Sequence, residues 1–303
     1  MNFRAKINDR EELCRAIIFA GAAIFIVMMP LGKFFFSLSA VLICLGLIAL
    51  AAVIGPRKLA ISEFPLHWLF WALILWLGIK VVWSINPQDG LDAFKAALYK
   101  GFPFFIAGIE ISRRRAYFLL LPLLFAVVAV YQGFDGVWQF YTGRDFINGD
   151  PLLDGRLTGS LSSYRVGNFI ALVMLPALVL PWVLQIRPEG WKRWGIALLL
   201  SAPPLFLLIF SSTRSGYICL IVALCALFSL LRGFSWKIPG ALFLVGIILM
   251  LLAPDRFGIS ELLQDGRLEL WGFAVKIAKV YPLAGSGLYT FNSAFHTLKN
   301  VTV

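Results

Sequence analysis

The chain has 303 residues, of which 60% are hydrophobic and 14% charged, with a formal net charge of +11 and a mean hydropathy of +0.85. Soluble domains carry about 45–50% apolar and about 25% charged residues, so an ordinary water-soluble fold is excluded. The basic excess sits at the ends of apolar runs and shows no basic-aromatic platform, which argues against nucleic acid as a partner.

An α-helix needs roughly 18 or more apolar residues to cross about 30 Å of hydrocarbon. By that measure the sequence predicts an all-α integral membrane protein with about nine transmembrane helices, at approximately 14–30, 35–54, 66–83, 97–111, 116–138, 166–186, 194–210, 215–231 and 237–253. The first run, starting near Ala16, leads almost directly into the second without a small-residue cleavage site, so no removable signal peptide is read. Residues 1–253 form the predicted multi-pass domain, and residues 254–303 begin a large external loop.

Lysine and arginine in short loops mark the cytoplasmic side. Arg4, Lys6, Arg10 and Arg15 put the N-terminus there, and counting forward places Arg57/Lys58, Arg113–Arg115, Arg187/Lys192/Arg193 and Arg232/Lys237 on the same side. The least secure span is 97–111, which is short and carries Lys100 and Glu110, but without it the alternation breaks at Arg113–Arg115. Ahead of it, Leu91, Phe94 and Leu98 at helical spacing against Asp92 and Lys95 suggest an interfacial amphipathic helix over 88–100. Cys14, Cys44, Cys219 and Cys225 lie in or beside predicted helices, with no disulfide framework and no metal-ligand spacing. No metal or cofactor is expected.

Three outer segments remain: 139–165, the tight turn 211–215, and 254–303. The last holds Leu268, Trp271, Val275 and Ala278 at amphipathic-helix spacing, ended by Pro282, Gly285 and Gly287. The basic residues of 139–165, 211–215 and 254–275 are Arg144, Arg156, Arg165, Arg214, Arg256 and Arg267, with no lysine. Arginine presents a planar fork suited to phosphate, whereas lysine is a hydrated point charge. An outward cluster of arginines runs against the positive-inside bias, and a membrane-borne pyrophosphate is the candidate anion. The plainer reading pairs these arginines with Asp145, Asp150, Asp154, Asp255 and Asp265, or with lipid headgroups. Arg214, in Ser211-Ser212-Thr213-Arg214-Ser215-Gly216, stands between two apolar helices with almost no loop, where a charge is expensive and points to function.

Three pieces of sequence carry a resemblance. They are SSTRSG at 211–216; Gly266-Arg267-Leu268-Glu269-Leu270-Trp271 followed by Pro282-Leu283, Gly285-Ser286-Gly287 and Phe291; and Arg156-Leu157-Thr158-Gly159-Ser160 before the sixth span. In this order and on one membrane face, the set resembles the O-antigen ligases and their relatives, the O-antigen polymerases and bacterial protein O-oligosaccharyltransferases, from about residue 90 onward. The resemblance implies a multi-pass protein of the bacterial inner membrane that moves a glycan, on the periplasmic side and without metal, from an undecaprenyl-pyrophosphate carrier to an acceptor. In ligases that acceptor is the lipid A–core of lipopolysaccharide. It also implies that Arg214 and Arg267, with Arg156 and Arg165 as further members, hold the pyrophosphate and stabilise the charge that develops as it leaves.

One departure stands out. The family's catalytic histidine lies further along the same loop, typically followed by Asn. The only external histidine here is His296, in Phe295-His296-Thr297-Leu298, a poor match to that motif. His67, at the start of the third span, reads as an interfacial residue. The expectation is a C-terminally truncated chain whose general base lies beyond Val303. The competing readings are a transporter or flippase of lipid-linked or anionic substrates, which usually carries ionisable groups or broken helices at midplane, and a structural membrane protein.

Overall fold

The structure, a computed structural model, describes residues 3–184, 190–232, 240, 244, 267–282 and 285–301. It is all-α. The helices are α1 (Phe3–Met28), α2 (Lys33–Ile54), the single turn α3 (Ala60–Glu63), α4 (His67–Val82), α5 (Pro87–Ala96), α6 (Phe102–Ser112), α7 (Arg115–Thr142), α8 (Val166–Val183), α9 (Trp191–Phe210), α10 (Arg214–Arg232), α11 (Arg267–Val280) and α12 (Phe291–Val301).

Among the described residues, five helices are long and apolar enough to cross a membrane: Asp9–Leu31, Lys33–Ile54, Arg115–Thr142, Val166–Val183 and Trp191–Phe210. They coincide with five of the predicted spans. The predicted spans 66–83 and 215–231 appear as α4 and α10, apolar helices whose membrane-like stretches are shorter. The predicted span 97–111 is α6 preceded by a π turn over Ala97–Gly101, which carries α5 into α6 without a break. The predicted span 237–253 and Arg256 lie outside the described residues, apart from the isolated helical positions Gly240 and Leu244. Large aliphatic side chains such as Ile48, Leu172 and Leu199 face outward on the long helices. Water penalises such a surface and hydrocarbon does not, so the fold fits a multi-pass membrane protein.

The chain divides into two compact units: Met1–Gly21, Ala40–Arg113 and Gly258–Val303 form one, and Ala22–Ser39 with Arg114–Phe257 the other. In the first unit, a buried ion pair organises one end. Arg15 Nη1 lies 2.7 Å from Glu110 Oε2, and its Nη2 lies 3.0 Å from Glu11 Oε1. The second oxygen of Glu110 accepts from the backbone N–H of Ala60, the first residue of α3. Arg113 adds a pair with Glu63 and donates to the Lys58 carbonyl at 3.2 Å. The charge that made the fourth predicted span doubtful, Glu110, is thus 2% exposed and fully partnered.

The second unit is built on α7, α8 and α9, which pack on one another, with α10 against α8. Lipid tails are as apolar as leucine, so such helices associate through close packing of small residues. Ala126, Ala129, Gly133 and Gly136 make a small-residue stripe on α7. A Cβ on Gly133 would meet Pro204 N at 2.3 Å, and one on Gly136 would meet Leu207 Cδ1 at 2.7 Å, so α9 rests directly on the α7 backbone. The core beside it contains Val128, Val166, Ile170, Ala177, Leu207 and Leu208.

Removing one partner of a buried ion pair leaves an uncompensated charge and costs about 3–5 kcal/mol. Arg15→Ala is therefore expected to lower the thermal midpoint of the detergent-solubilised protein sharply. The double variant Arg15→Met/Glu110→Met should recover most of the loss. A single variant as stable as the native protein would show that the pair holds nothing together.

Candidate functional site

In the second unit, the C-terminal end of α7, the loop 143–165, the N-terminus of α8, the turn 211–213 and the N-terminus of α10 all meet at one end of the helices. The loop between α7 and α8 is an ordered construction. Asp145 accepts through Oδ1 from Ile147 N at 3.0 Å and Asn148 N at 2.6 Å, and through Oδ2 from Asp150 N at 2.6 Å. Asp145 N in turn donates to Asp150 O at 2.9 Å, which closes a tight loop around its own carboxylate.

Three buried polar side chains of α7 hold this loop from below. Gln139 Oε1 accepts from Thr158 N at 2.8 Å and Gly159 N at 2.9 Å. Asp135 Oδ1 accepts from Phe146 N at 2.6 Å, and the Gln132 amide meets the Ser160 hydroxyl. Residues 132, 135 and 139 share one helix face. They explain why Arg156-Leu157-Thr158-Gly159-Ser160 is fixed: Leu157, Thr158, Gly159 and Ser160 are all buried, and Leu157 N donates to Phe210 O at 3.3 Å. The sequence reading passed over these residues, although polar side chains at i, i+3 and i+7 in an apolar run are the signal that finds them.

Arg156 comes out of this segment half-buried, its guanidinium 5.7 Å from the centroid of the Tyr164 ring. The Tyr164 hydroxyl donates to Asp154 Oδ2 at 2.5 Å, and that hydrogen bond is the main reason its pKa is raised above the ordinary phenol value. One residue on, Arg165 occupies the N-cap position of α8. Thr213 Oγ1 donates to Tyr164 O at 3.3 Å and Ser215 Oγ donates to Asn168 Oδ1 at 2.7 Å, so segments 164–168 and 213–216 run side by side. Glycine makes this possible: a Cβ on Gly216 would sit 2.7 Å from Gly167 C, and one on Gly167 would sit 2.5 Å from Thr213 Cβ. The turn reaches Arg214 in three residues because Ser212 takes a left-handed conformation, φ 52°.

The outcome is that Arg165 and Arg214 stand at two adjacent helix N-termini, with Arg156 in the same loop assembly. Helix N-termini carry partial positive charge and backbone N–H donors and favour anions. The aspartates of this loop are engaged otherwise. Asp145 is taken up by backbone N–H groups, Asp154 by Tyr164 and Asp150 by the Ser162 hydroxyl. Among the described residues, no ion pair joins Arg144, Arg156 or Arg165 to these carboxylates.

The fourth expected arginine, Arg267, opens α11 in the first unit, and its side chain lies outside the described residues. There the predicted Gly285-Ser286-Gly287 segment docks on the α4–α5 corner. Ile85 N donates to Ser286 O at 3.0 Å, and a Cβ on Gly287 would clash with Ser84 Oγ at 2.3 Å. His296 is exposed on α12, its ring centroid 5.6 Å from that of Phe295. His67 Nδ1 lies 2.8 Å from the Phe64 carbonyl at the start of α4.

An apolar cleft of about 1100 Å³ runs along α7 in the second unit, its wall including Leu31, Leu123, Val130, Trp138, Tyr141 and Phe146. From Leu123 to Thr142 it follows α7 for roughly 28 Å and ends where the loop begins. No family model, characterised protein or solved structure matches this chain.

Gln139→Leu would strip the acceptor from two buried N–H groups, each costing about 1–3 kcal/mol when left unpaired. The expected result is rapid proteolytic nicking within 143–165 in the solubilised protein, with α7–α9 intact. A loop as resistant as the native one would show that Gln139 is not its anchor.

Proposed function

We propose that the chain is a periplasm-facing transferase of the bacterial inner membrane that moves a glycan from undecaprenyl-pyrophosphate to an acceptor, with O-antigen transfer onto lipid A–core as the leading case. The observation that carries this reading is the pairing of Arg165 and Arg214 at two adjacent helix N-termini, tied by the Thr213–Tyr164 hydrogen bond. Donors of that kind, fixed in advance, lower the energy of a leaving pyrophosphate more than that of the bound ester, which is the requirement for accelerating transfer. Arg156, held against Tyr164, belongs to the same end.

The apolar cleft along α7 supports a lipid-linked substrate, because its dimensions and lining suit a polyprenyl tail whose head emerges at the loop. The sidedness follows from the basic segments. Arg15, Lys58 and Arg113, all assigned to the cytoplasm by the positive-inside bias, are joined at one end of the first unit. We read the arginine-bearing end of the second unit as the outer one, because α7 ends there and begins at the basic Arg113–Arg115 cluster. The acceptor hydroxyl's base is none of these arginines.

Arg214→Ala should abolish glycan transfer in cells while leaving the membrane level of the protein normal, and Arg214→Lys should recover little because the fork is lost. Full activity in Arg214→Ala would sink the assignment.

A further inference from the structure

Helix α11 has three faces. Phe273 and Ile277, at i and i+4, turn inward: Ile277 is buried, and the Phe273 ring lies 4.6 Å from that of Phe295 on α12. Leu268, Trp271 and Val275, at i, i+3 and i+7, stay open, with Trp271 67% and Val275 56% exposed. Lys276 and Lys279 lie on the third face, which also carries Glu269 and Gly272. A large apolar side chain left in water forgoes about 1.5–3 kcal/mol of burial, so the open stripe calls for a cover.

The attachments of this segment identify that cover. The chain after α11 is fastened to the α4–α5 corner by Ile85 N to Ser286 O at 3.0 Å and by Ser293 Oγ to Asp89 Oδ2 at 3.3 Å. That corner follows directly on α4, an apolar helix with exposed Trp68, Trp71 and Trp76 along its length and exposed Trp83 just past its end. Tryptophans concentrate at the level of the lipid headgroups, and Trp83 immediately precedes Ser84. The segment is therefore anchored at the depth where bilayer meets water, and α11, about 21 Å long, begins its approach five residues away at Val280. Its two lysines against one glutamate suit anionic phospholipid.

We infer that α11 lies in the plane of the membrane interface, with Leu268, Trp271 and Val275 in the outer acyl region and Lys276 and Lys279 at phosphate level. This is the arrangement of an interfacial amphipathic helix. The stripe and its lysines belong to this chain's own surface, so the inference does not depend on any transfer activity.

The test uses the full chain in nanodiscs of phosphatidylcholine and phosphatidylglycerol, with the four native cysteines replaced by alanine and a nitroxide on Val275→Cys or Gly272→Cys. Gly272 has open space beyond its Cα, so a label there is accommodated. The label at 275 should collide with dissolved oxygen and lose access to a water-soluble nickel chelate, and the label at 272 should show the reverse. Nickel access at both positions would put the stripe in water, and exclusion of both relaxants at 275 would put protein over it; either result overturns the inference. A second measurement avoids the cysteine-free background. The fluorescence difference between the native chain and Trp271→Phe must be quenched by brominated phospholipid, and an unquenched difference counts against the interfacial position.

Discussion

Gln132, Asp135 and Gln139 are polar groups on a helix whose other faces are made for hydrocarbon, and their burial governs the loop-bearing end of the second unit. A polar side chain left unpaired in an apolar medium costs several kcal/mol, and α7 carries three of them on one face. The loop 143–165 folds back and supplies partners: Phe146 N to Asp135, Thr158 N and Gly159 N to Gln139, and the Ser160 hydroxyl to Gln132. The loop is thereby drawn onto the end of the helices instead of extending into water. Arg156 and Tyr164, which follow in the same loop, start from this anchoring.

A second constraint acts below it. Helices in lipid gain nothing from hiding apolar surface from one another, so their contacts depend on how closely backbones approach. Gly133 and Gly136 admit α9 onto α7, and Gly167 and Gly216 admit α10 onto α8. The second of these crossings is also what brings Arg165 and Arg214 side by side. Packing and the candidate anion site are one construction here, because a side chain at either glycine would push the two helix N-termini apart.

Much of the helical framework was readable in the sequence, for a simple physical reason. Crossing hydrocarbon demands length and apolarity, both of which are local properties, and five predicted spans reappear as membrane-length helices. What the sequence left open was decided by contacts distant along the chain. Glu110 looked like a flaw in the fourth span, because its partner Arg15 lies 95 residues away. The π turn at Ala97–Gly101, which lets the amphipathic α5 run on into α6, leaves no mark in a hydropathy average. Gln132 and Asp135 fell inside a predicted span and Gln139 just past its end, where the surrounding aliphatics concealed their shared face. The arginines were found from residue type and placement, but their association through Thr213 and Tyr164 was not, since threonine in that turn reads equally well as a cap for its own helix. It instead ties α10 to α8.

The choice of arginine at this end follows from the same geometry. Lysine near a helix N-terminus adds a mobile point charge whose hydration must be removed before it meets an anion. Arginine is more weakly hydrated, and its planar fork keeps two donors in fixed relation. At Arg165 and Arg214 the backbone is already fixed by the glycine crossing, which sets where each side chain starts and leaves only its own rotamer entropy to be lost. Arg156 is held further by the face of Tyr164, whose hydroxyl is committed to Asp154. That bond also occupies Asp154, so an aspartate that looks like a competitor for Arg156 is engaged elsewhere.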